Sequence, residues 1–553
     1  MAKQSTPAMN TDTAKPRSTR RVGAVFAGLL VAMLLASLDQ TVFATALPTI
    51  VGELDGVDHM LWVTTAYLLA STITMPVYGK LGDLVGRKSI FIAALSLFLV
   101  GSVIGGLAPD MAWLIIGRAV QGLGGGGLMV LSQAIIADVV PVRERGKYMG
   151  VMGAVFGVSS VVGPLLGGWF TDSIGWRWAF WINIPLGIAA IAFAAAFLKL
   201  PKHDVKVKLD VWGIFTMAVA VTSIILVTSW GGTQYDWDSG RIIGLIITAV
   251  LAAAAFVLAE YKAAEPIIPL GLFKNRNFVL ATAAGLFIGV AMFGAISYMP
   301  TYLQMVTGVG ATDSGLLMVS MVAGLMLTAL TTGALASRTG RYKWMPIAGM
   351  VVIVAALVLM STLTPTTPIA VLLGYLFLLG AGIGLAMQIL VLIVQNSFSD
   401  RIVGTATASN NFFREIGASM GGAVVGAIFT SRLTDLLAER VPADTVASGS
   451  MNSLTPAAVN AFPDALRDIV VGAYNDALTP IFLMLVPMIA VGFVLLIFIK
   501  EIPLRSTSTE TMDGLAAEEY EPTRFTAGET IAVASNGPAV SAPRSTTDPV
   551  DRG

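Results

Sequence analysis

Apolar stretches long enough to cross a bilayer, about 20 residues each, recur along this chain from Val22 to Ile499. Nothing else in the sequence restricts the fold as strongly. Inside a hydrocarbon layer every backbone N–H and C=O must be satisfied within the protein, so repeated stretches of this length are expected to be transmembrane α-helices. We read about fourteen spans: the first covers 23–46, and the last four cover 344–362, 368–392, 402–430 and 479–499. The chain is 12% charged, against about 25% in soluble proteins. There is no cysteine, and the two histidines, His59 and His203, fall in polar connections. Disulfides and thiolate metal sites are therefore excluded, and neither a metal nor a cofactor is expected. The basic tail ahead of the first apolar run imitates a signal peptide, with Ala44-Thr-Ala46 resembling a cleavage site. The run, roughly 24 residues, is too long for that.

Lys and Arg placement sets the expected orientation. Lys3, Lys15, Arg17, Arg20 and Arg21 precede the first span. Every second connection is also basic: Lys80/Arg87/Lys88, Arg143/Arg145/Lys147, Lys199/Lys202/Lys206/Lys208, Lys262/Lys274/Arg276 and Arg338/Arg341/Lys343. The connections between these are poor in cations, and the first carries Glu53, Asp55 and Asp58 instead. Both termini are expected on the cytoplasmic face of the cell membrane, with an even number of spans.

A repeat supports two similar halves. Gly79-Lys-Leu-Gly-Asp-Leu-Val-Gly86-Arg87 recurs 254 residues later, counting from Gly79 to Gly333, as Gly333-Ala-Leu-Ala-Ser-Arg-Thr-Gly340-Arg341. At the same offset Gly163-Pro-Leu-Leu-Gly167-Gly168 recurs as Gly417-Ala-Ser-Met-Gly421-Gly422. Parallel repeats of about six spans with a binding site between them are a transporter architecture. The expected divisions are a basic tail 1–21, a bundle 22–200, an inserted pair of spans within 201–265, a second bundle 266–503 and a disordered polar tail 504–553. The second bundle includes an outer loop, 431–478, whose Leu466, Ile469, Val470 and Ala473 suggest an interfacial helix.

Within the spans, charge is costly and therefore informative. Asp39 lies in the outer half of the first span, and Arg118 is the one cation inside the spans of the first half, with Gln121 a turn later. An intramembrane carboxylate faces protein or a water-filled cavity and reads as functional. A cation beside a carboxylate lowers its proton affinity, and losing that contact raises it. Such a pair can bind and release a proton in alternation, or it can be a static pair that fixes packing. Arg414 and Glu415 form a second intramembrane cluster, with Glu415 a rival site for a proton or cationic substrate and an inner-surface ion pair the other reading.

These residues, with several others, resemble a known family. Leu38-Asp39-x-Thr41-Val42 through Pro48, Gly79–Arg87, Arg118-x-x-Gln121-Gly122, Gly157 with Gly163-Pro164 and Gly167-Gly168, and Trp176-Arg-Trp-x-Phe180 with Asn183-x-Pro185-x-Gly187 are similar to the motifs of the fourteen-span drug:proton antiporters of the major facilitator superfamily. The resemblance covers about Val22 to Lys500. It implies an all-α polytopic membrane protein with two six-helix bundles and two inserted central helices. It also implies a non-enzymatic exporter of small amphipathic compounds driven by protons. On this reading Asp39, Arg118 and Glu415 couple to protons, while Gly79, Asp83, Gly86, Arg87 and Lys88 form a cytoplasmic latch. A merely topology-setting basic loop is the alternative for the latch. Ser337 stands where the first copy has Asp83, so any latch should be asymmetric. Gly157, Gly163, Pro164, Gly167 and Gly168, like Gly122–Gly127 and Gly380–Gly384, are small-residue faces that let helices approach and slide.

Buried amides and hydroxyls need partners, so Gln121, Tyr298, Gln304, Gln388, Gln395, Asn410 and Asn411 are candidates to contact substrate. Phe412 belongs to a larger set of Met and Phe residues that suit varied apolar ligands but more often simply pack. The remaining partners are protons and membrane lipids. No nucleic-acid partner is expected, and a monomer is. Gly122-x-Gly124-x-x-Gly127 and Gly417-x-Ser419-x-Gly421 spell dinucleotide and nucleophile-elbow patterns but lie in membrane helices, and no phosphate-binding Gly-Lys-Ser/Thr loop is present. The same fold exporting an endogenous metabolite, lipid, amino acid or self-made antibiotic is the nearest alternative. A non-transporting receptor or assembly factor is the more distant one.

Overall fold

A computed structural model describes residues 19–54, 56, 59–198, 200, 208–232, 234–441, 459 and 462–504. The first half contains α1 (Thr19–Glu53), α2 (Met60–Val85), α3 (Arg87–Gly106), α4 (Met111–Val139), α5 (Val142–Trp169), the single turn α6 (Trp178–Trp181) and α7 (Asn183–Phe197). An inserted pair follows, α8 (Val211–Trp230) and α9 (Gly240–Lys262). The second half contains α10 (Arg276–Ile296), α11 (Met299–Val306), α12 (Ala311–Leu317), α13 (Val319–Thr339), α14 (Trp344–Met360), α15 (Ile369–Asn396), α16 (Val403–Arg440) and α17 (Asp464–Ile497). Among the described residues 13 helical stretches are long and apolar enough to cross a membrane, and α14 is a shorter apolar helix of 17 residues. The expected set of about fourteen spans is this set with α14 included.

Three departures from the expected elements have different origins. The span expected at 278–301 is broken into α10 and α11 around Ser297 and Tyr298. Pro300 supplies no N–H and its ring opposes the carbonyl four residues back, so the helix restarts there. The second departure corrects the outer loop 431–478, which is shorter. Helix α16 runs on to Arg440 and α17 starts at Asp464, so the residues read as an interfacial helix, Leu466 to Ala473, are the first turns of a spanning helix. Their polar faces are held by the other extension, where Arg440 pairs with Asp476 at 2.8 Å. Third, α12 and α13 are separated at Met318 where one span was expected. The centre of the outer loop, the basic tail to residue 18 and the polar tail from 505 lie outside the described residues.

The repeat is visible in packing. Shifted by the repeat offset, α2 corresponds to α13 and α5 to α16, and the two cross-half pairs α2·α16 and α5·α13 are among the main helix contacts. Gly79 faces Ala408 and the Gly404 carbonyl of α16, and its counterpart Gly333 faces Gly146 and Gly150 of α5. A Cβ at Gly79 would stand 2.9 Å from the Gly404 oxygen, and one at Gly146 would stand 3.0 Å from the Gly333 oxygen. Small residues at equivalent positions thus let both seams close tightly.

Two apolar clusters make up the interior of the first half. One gathers Leu29 to Ala36 with Leu95, Phe98 and Leu128, and the other gathers Val42 to Val51 with Leu114 and Phe180. Asp39, Ser102 and Arg118 fall between them along their helices, so a polar layer divides the half. Helix α8 packs on α9, on α2 and on α16. Helix α9 is almost wholly exposed along its apolar window, with Val250 and Leu251 each 64% exposed, as suits a lipid-facing surface. Lys80 of α2 ties the segment after α9 to the first half through Glu265 at 2.6 Å.

Candidate functional site: a caged carboxylate and a closed seam

Four helices converge on Asp39. Arg118 of α4 pairs with its Oδ2, while Gln121 Nε2, also on α4, donates to Oδ1 at 2.9 Å. Asn183 Nδ2, at the start of α7, donates to the same Oδ1 at 3.2 Å. Ser102 of α3 accepts from both amides, at 2.8 Å from Gln121 and 3.2 Å from Asn183. Arg118 also donates to Gln121 Oε1 at 3.0 Å and to the Val63 carbonyl at 3.2 Å. Its guanidinium carbon lies 4.3 Å from the Phe43 ring centre and 4.4 Å from that of Tyr67, between two aromatic faces. Asp39 and Arg118 are each 1% exposed. Burying two charges is costly unless they are paired and further hydrogen-bonded, and here both Asp39 oxygens accept while Arg118 donates to three oxygens.

The spacing of α4 produces this arrangement. Arg118 and Gln121 are three residues apart and share a face, while Gly117, Gly122, Gly124 and Gly126 let that helix press against the backbones of α2 and α3. Helix α5 then links the carboxylate's helix to the other half. Thr41, two residues past Asp39, donates to the Ser159 carbonyl at 2.9 Å, and Thr45 donates to the Pro164 carbonyl at 3.1 Å. Gly163 faces Thr41, Gly167 faces Val42 and Thr45, and Gly157 faces Val322 and Met326 of α13. Gly168, grouped with them by its motif, has nothing within 4 Å of its Cβ position and is no packing contact.

At the end of the bundle that carries the basic connections, the halves are bound by charge. Gly86 turns from α2 to α3 at φ 107°, a conformation glycine adopts freely. One turn earlier, Asp83 accepts from the Gly404 and Thr405 amides at 3.2 and 2.6 Å and from the Thr405 hydroxyl at 2.8 Å. These are free donors at the N-terminus of α16, where a carboxylate is favoured by the helix dipole as well. Arg87 pairs with Asp83 at 2.7 Å, with Asp138, and with the Asp400 carbonyl at 3.0 Å. Arg145 approaches the Asp400 carboxylate at 3.6 Å. The second copy is uncharged: the Ser337 hydroxyl accepts from the Lys147 amide at 3.0 Å and donates to the Glu144 carbonyl at 3.5 Å, while its own carbonyl accepts from Arg143 Nε at 3.4 Å, all near the start of α5. The expected asymmetry follows from Asp against Ser. Lys88, expected in the latch, bonds instead to the Ala195 carbonyl of α7 within its own half, at 2.7 Å.

The remaining candidates disperse. Gln121 belongs to the Asp39 cage and is fully buried, so it is not free to contact a ligand in this conformation. Tyr298 donates to the Gly422 carbonyl at 3.3 Å and Gln304 to Ser314 at 3.0 Å, both inside the second half. Phe412 stacks edge-on with Phe413 at 5.4 Å. Gln388 and Asn410 do line cavities: one bounded by Gly153, Phe156, Leu325, Ala329, Gly384, Met387 and Gln388, the other by Gly285, Ile288, Met387, Leu390, Asn410 and Arg414. Each holds about one water molecule, and Met387 walls both. Asn411 turns the other way and bonds Gln133 across the halves at 2.7 Å. Glu415 is half-buried and forms no salt bridge among the described residues, and neither does its neighbour Arg414.

Sequence reasoning missed Ser102, Asn183 and the two aromatic faces around Arg118. Asn183 stood inside a quoted motif without a role. Asp138 carried a readable signal, a carboxylate at the end of a span close to a basic connection. Gln133 had none beyond being an amide in an apolar run.

Comparison with known proteins fits this architecture. The pattern of the Major Facilitator Superfamily matches residues 29–422. An uncharacterised transporter of that type from Mycobacterium tuberculosis is 44% identical over 489 residues, covering 88% of this chain and 71% of the relative. The multidrug transporter protein MdtP of Bacillus subtilis is 39% identical over 508 residues, covering 87% of this chain and 94% of MdtP. In fold, the chain is similar to the human organic anion transporter MFSD10, with a TM-score of 0.58 at 15% identity over 87% of this chain and all of that one. With two repeated helical halves and a caged carboxylate inside the first, this multi-pass chain belongs to the Major Facilitator Superfamily of membrane transporters.

Proposed function

We propose that the protein is a proton-coupled antiporter of the cell membrane that exports amphipathic or hydrophobic compounds, including drugs, dyes and antibiotics, by alternating access. Asp39 carries this reading: a carboxylate in the membrane interior, bonded to a guanidinium and two amides from different helices, is expensive to build and reads as functional. The name of the relative MdtP supports the cargo class.

The mechanism follows from the contacts. With the basic end cytoplasmic by the positive-inside rule, the seam from Asp83–Thr405 down to Gly157–Met326 shuts the pathway on that side. Opening it requires α2 to leave α16 and α5 to leave α13. Because α5 also grips α1 through Thr41 and Thr45, the same movement bears on the helix that holds Asp39. Whether Asp39 binds a proton depends on whether Arg118 remains in contact. A proton arriving from outside thus competes with Arg118, and its release inside accompanies re-formation of the pair. Glu415, half-buried one residue beyond a cavity-lining arginine, is the second candidate to carry charge through the cycle.

The test is transport by purified protein in liposomes. An imposed pH gradient should drive ethidium against its concentration gradient, and a protonophore should abolish the movement. Ethidium flux indifferent to the pH gradient would leave a transporter without proton coupling.

A further inference from the structure

The closed seam contains a second polar cluster that the carboxylate mechanism does not use. Gln133 of α4, Gln395 of α15 and Asn411 of α16 are 0 to 1% exposed and meet near the basic end. Asn411 Nδ2 donates to Gln133 Oε1 at 2.7 Å and to the Thr407 carbonyl at 3.1 Å. Gln395 Nε2 donates to the Gln133 carbonyl at 3.1 Å and to the Thr407 hydroxyl at 3.4 Å. Each amide therefore uses one end and leaves the other without a partner: the Gln133 Nε2 donor and the Gln395 Oε1 and Asn411 Oδ1 acceptors. Buried polar atoms are almost always paired, and several unpaired ones in one place ask for a visitor.

The chemistry of these free ends limits the visitor. One donor and two acceptors match a group that both accepts and donates: a hydroxyl, an amide or a water. An ammonium has no lone pair for Gln133 Nε2, and a carboxylate has no proton for the two carbonyls. No member of the cluster is ionisable, so nothing there compensates a net charge. Gln388 extends the stripe. It lies seven residues before Gln395, two turns along the same face of α15, and its own Oε1 is unpartnered. It faces Gly153 of the first half and borders a cavity with Met387.

We propose that Gln133, Gln395 and Asn411 form a site for an uncharged hydrogen-bonding group of the cargo, an amide, carbonyl or hydroxyl, engaged as the basic end opens. The two cross-half bonds at Gln133 break when the halves part, which releases further amide donors and acceptors toward incoming cargo. From there Gln388 leads inward. This site rests on the antiport reading and adds to it a preference for neutral polar cargo.

The experiment compares two probes in proteoliposomes: chloramphenicol, neutral with amide and hydroxyl groups, and tetraphenylphosphonium, a lipophilic cation without hydrogen-bonding groups. Gln133→Met, Gln395→Met and Asn411→Leu should each raise the KM for chloramphenicol about tenfold relative to that for tetraphenylphosphonium. Asn411→Ser, which restores a hydroxyl, should recover part of the change. An equal loss for both probes, or a loss in kcat alone, would show a structural interlock and overturn the site. Wild-type transport of tetraphenylphosphonium without chloramphenicol would overturn the neutral-cargo preference but leave the antiport reading standing. Transport of neither probe would sink both.

Discussion

Asp39 and Arg118 were legible in the sequence because charge in an apolar run is too costly to be incidental. Their pairing could be argued from role alone, but the cage could not. Ser102, Gln121 and Asn183 are neutral side chains of types common in membrane helices, and only the crossing of α3, α4 and α7 brings them to one carboxylate. A second carboxylate at this scale lies outside the spans. Glu53 accepts from Arg177 at 2.6 Å and from Trp176 Nε1 at 2.7 Å, and these bonds, the Arg177 one first, hold its carboxyl below the usual glutamate range. A lowered group contributes stability that is present above its unfolded value and is lost as pH falls through the folded one. Thermal unfolding of wild type should therefore lose stability on acidification that Glu53→Gln never had. The two melting curves should converge in acid and separate toward neutral pH. The effect is small because Glu53 is half exposed and screened by solvent. A difference that stays constant across pH would deny the linkage.

Elements were readable where hydrophobicity alone defines them and misread where polar residues continue a helix. Helices α16 and α17 run 38 and 34 residues, and their outer turns look like loop in sequence because one polar extension satisfies the other. The opposite error arose at Pro300, where an unbroken apolar run conceals a break. The charged contact around Asp83 was legible through its glycines and charges, and helix N-terminal amides as its target, but which helix supplies them was not: the amide end of α16 carries no side-chain signature. Asp83→Asn should weaken that capping by about 1–2 kcal/mol, enough to shift the seam roughly tenfold toward opening. Because the chain has no cysteine, a single Ala408→Cys in the α2–α16 seam reports on this directly. Its maleimide labelling should speed up about tenfold in the Asp83→Asn background, with membrane levels of the protein unchanged. Unaltered labelling would mean that the pair does not hold the seam.

For the whole molecule, the repeat offset and the alternation of cations were enough to divide the chain into halves, because both reflect constraints on every span at once. What the halves do in contact was not legible, since α2·α16 and α5·α13 join residues far apart in the chain. Orientation is directly testable. Thr366 and Thr339 are exposed at opposite ends of the bundle, and an impermeant maleimide added to intact cells should label Thr366→Cys but spare Thr339→Cys. The reverse pattern would invert the assignment of inside and outside, and with it the direction of export. The account as a whole turns on whether Asp39 couples cargo to protons. The most direct measurement is ethidium transport by Asp39→Asn in liposomes, with the membrane potential clamped and a pH gradient imposed. The variant should still exchange labelled for unlabelled ethidium but should show no uphill accumulation. Uphill accumulation at the wild-type rate would contradict the central claim.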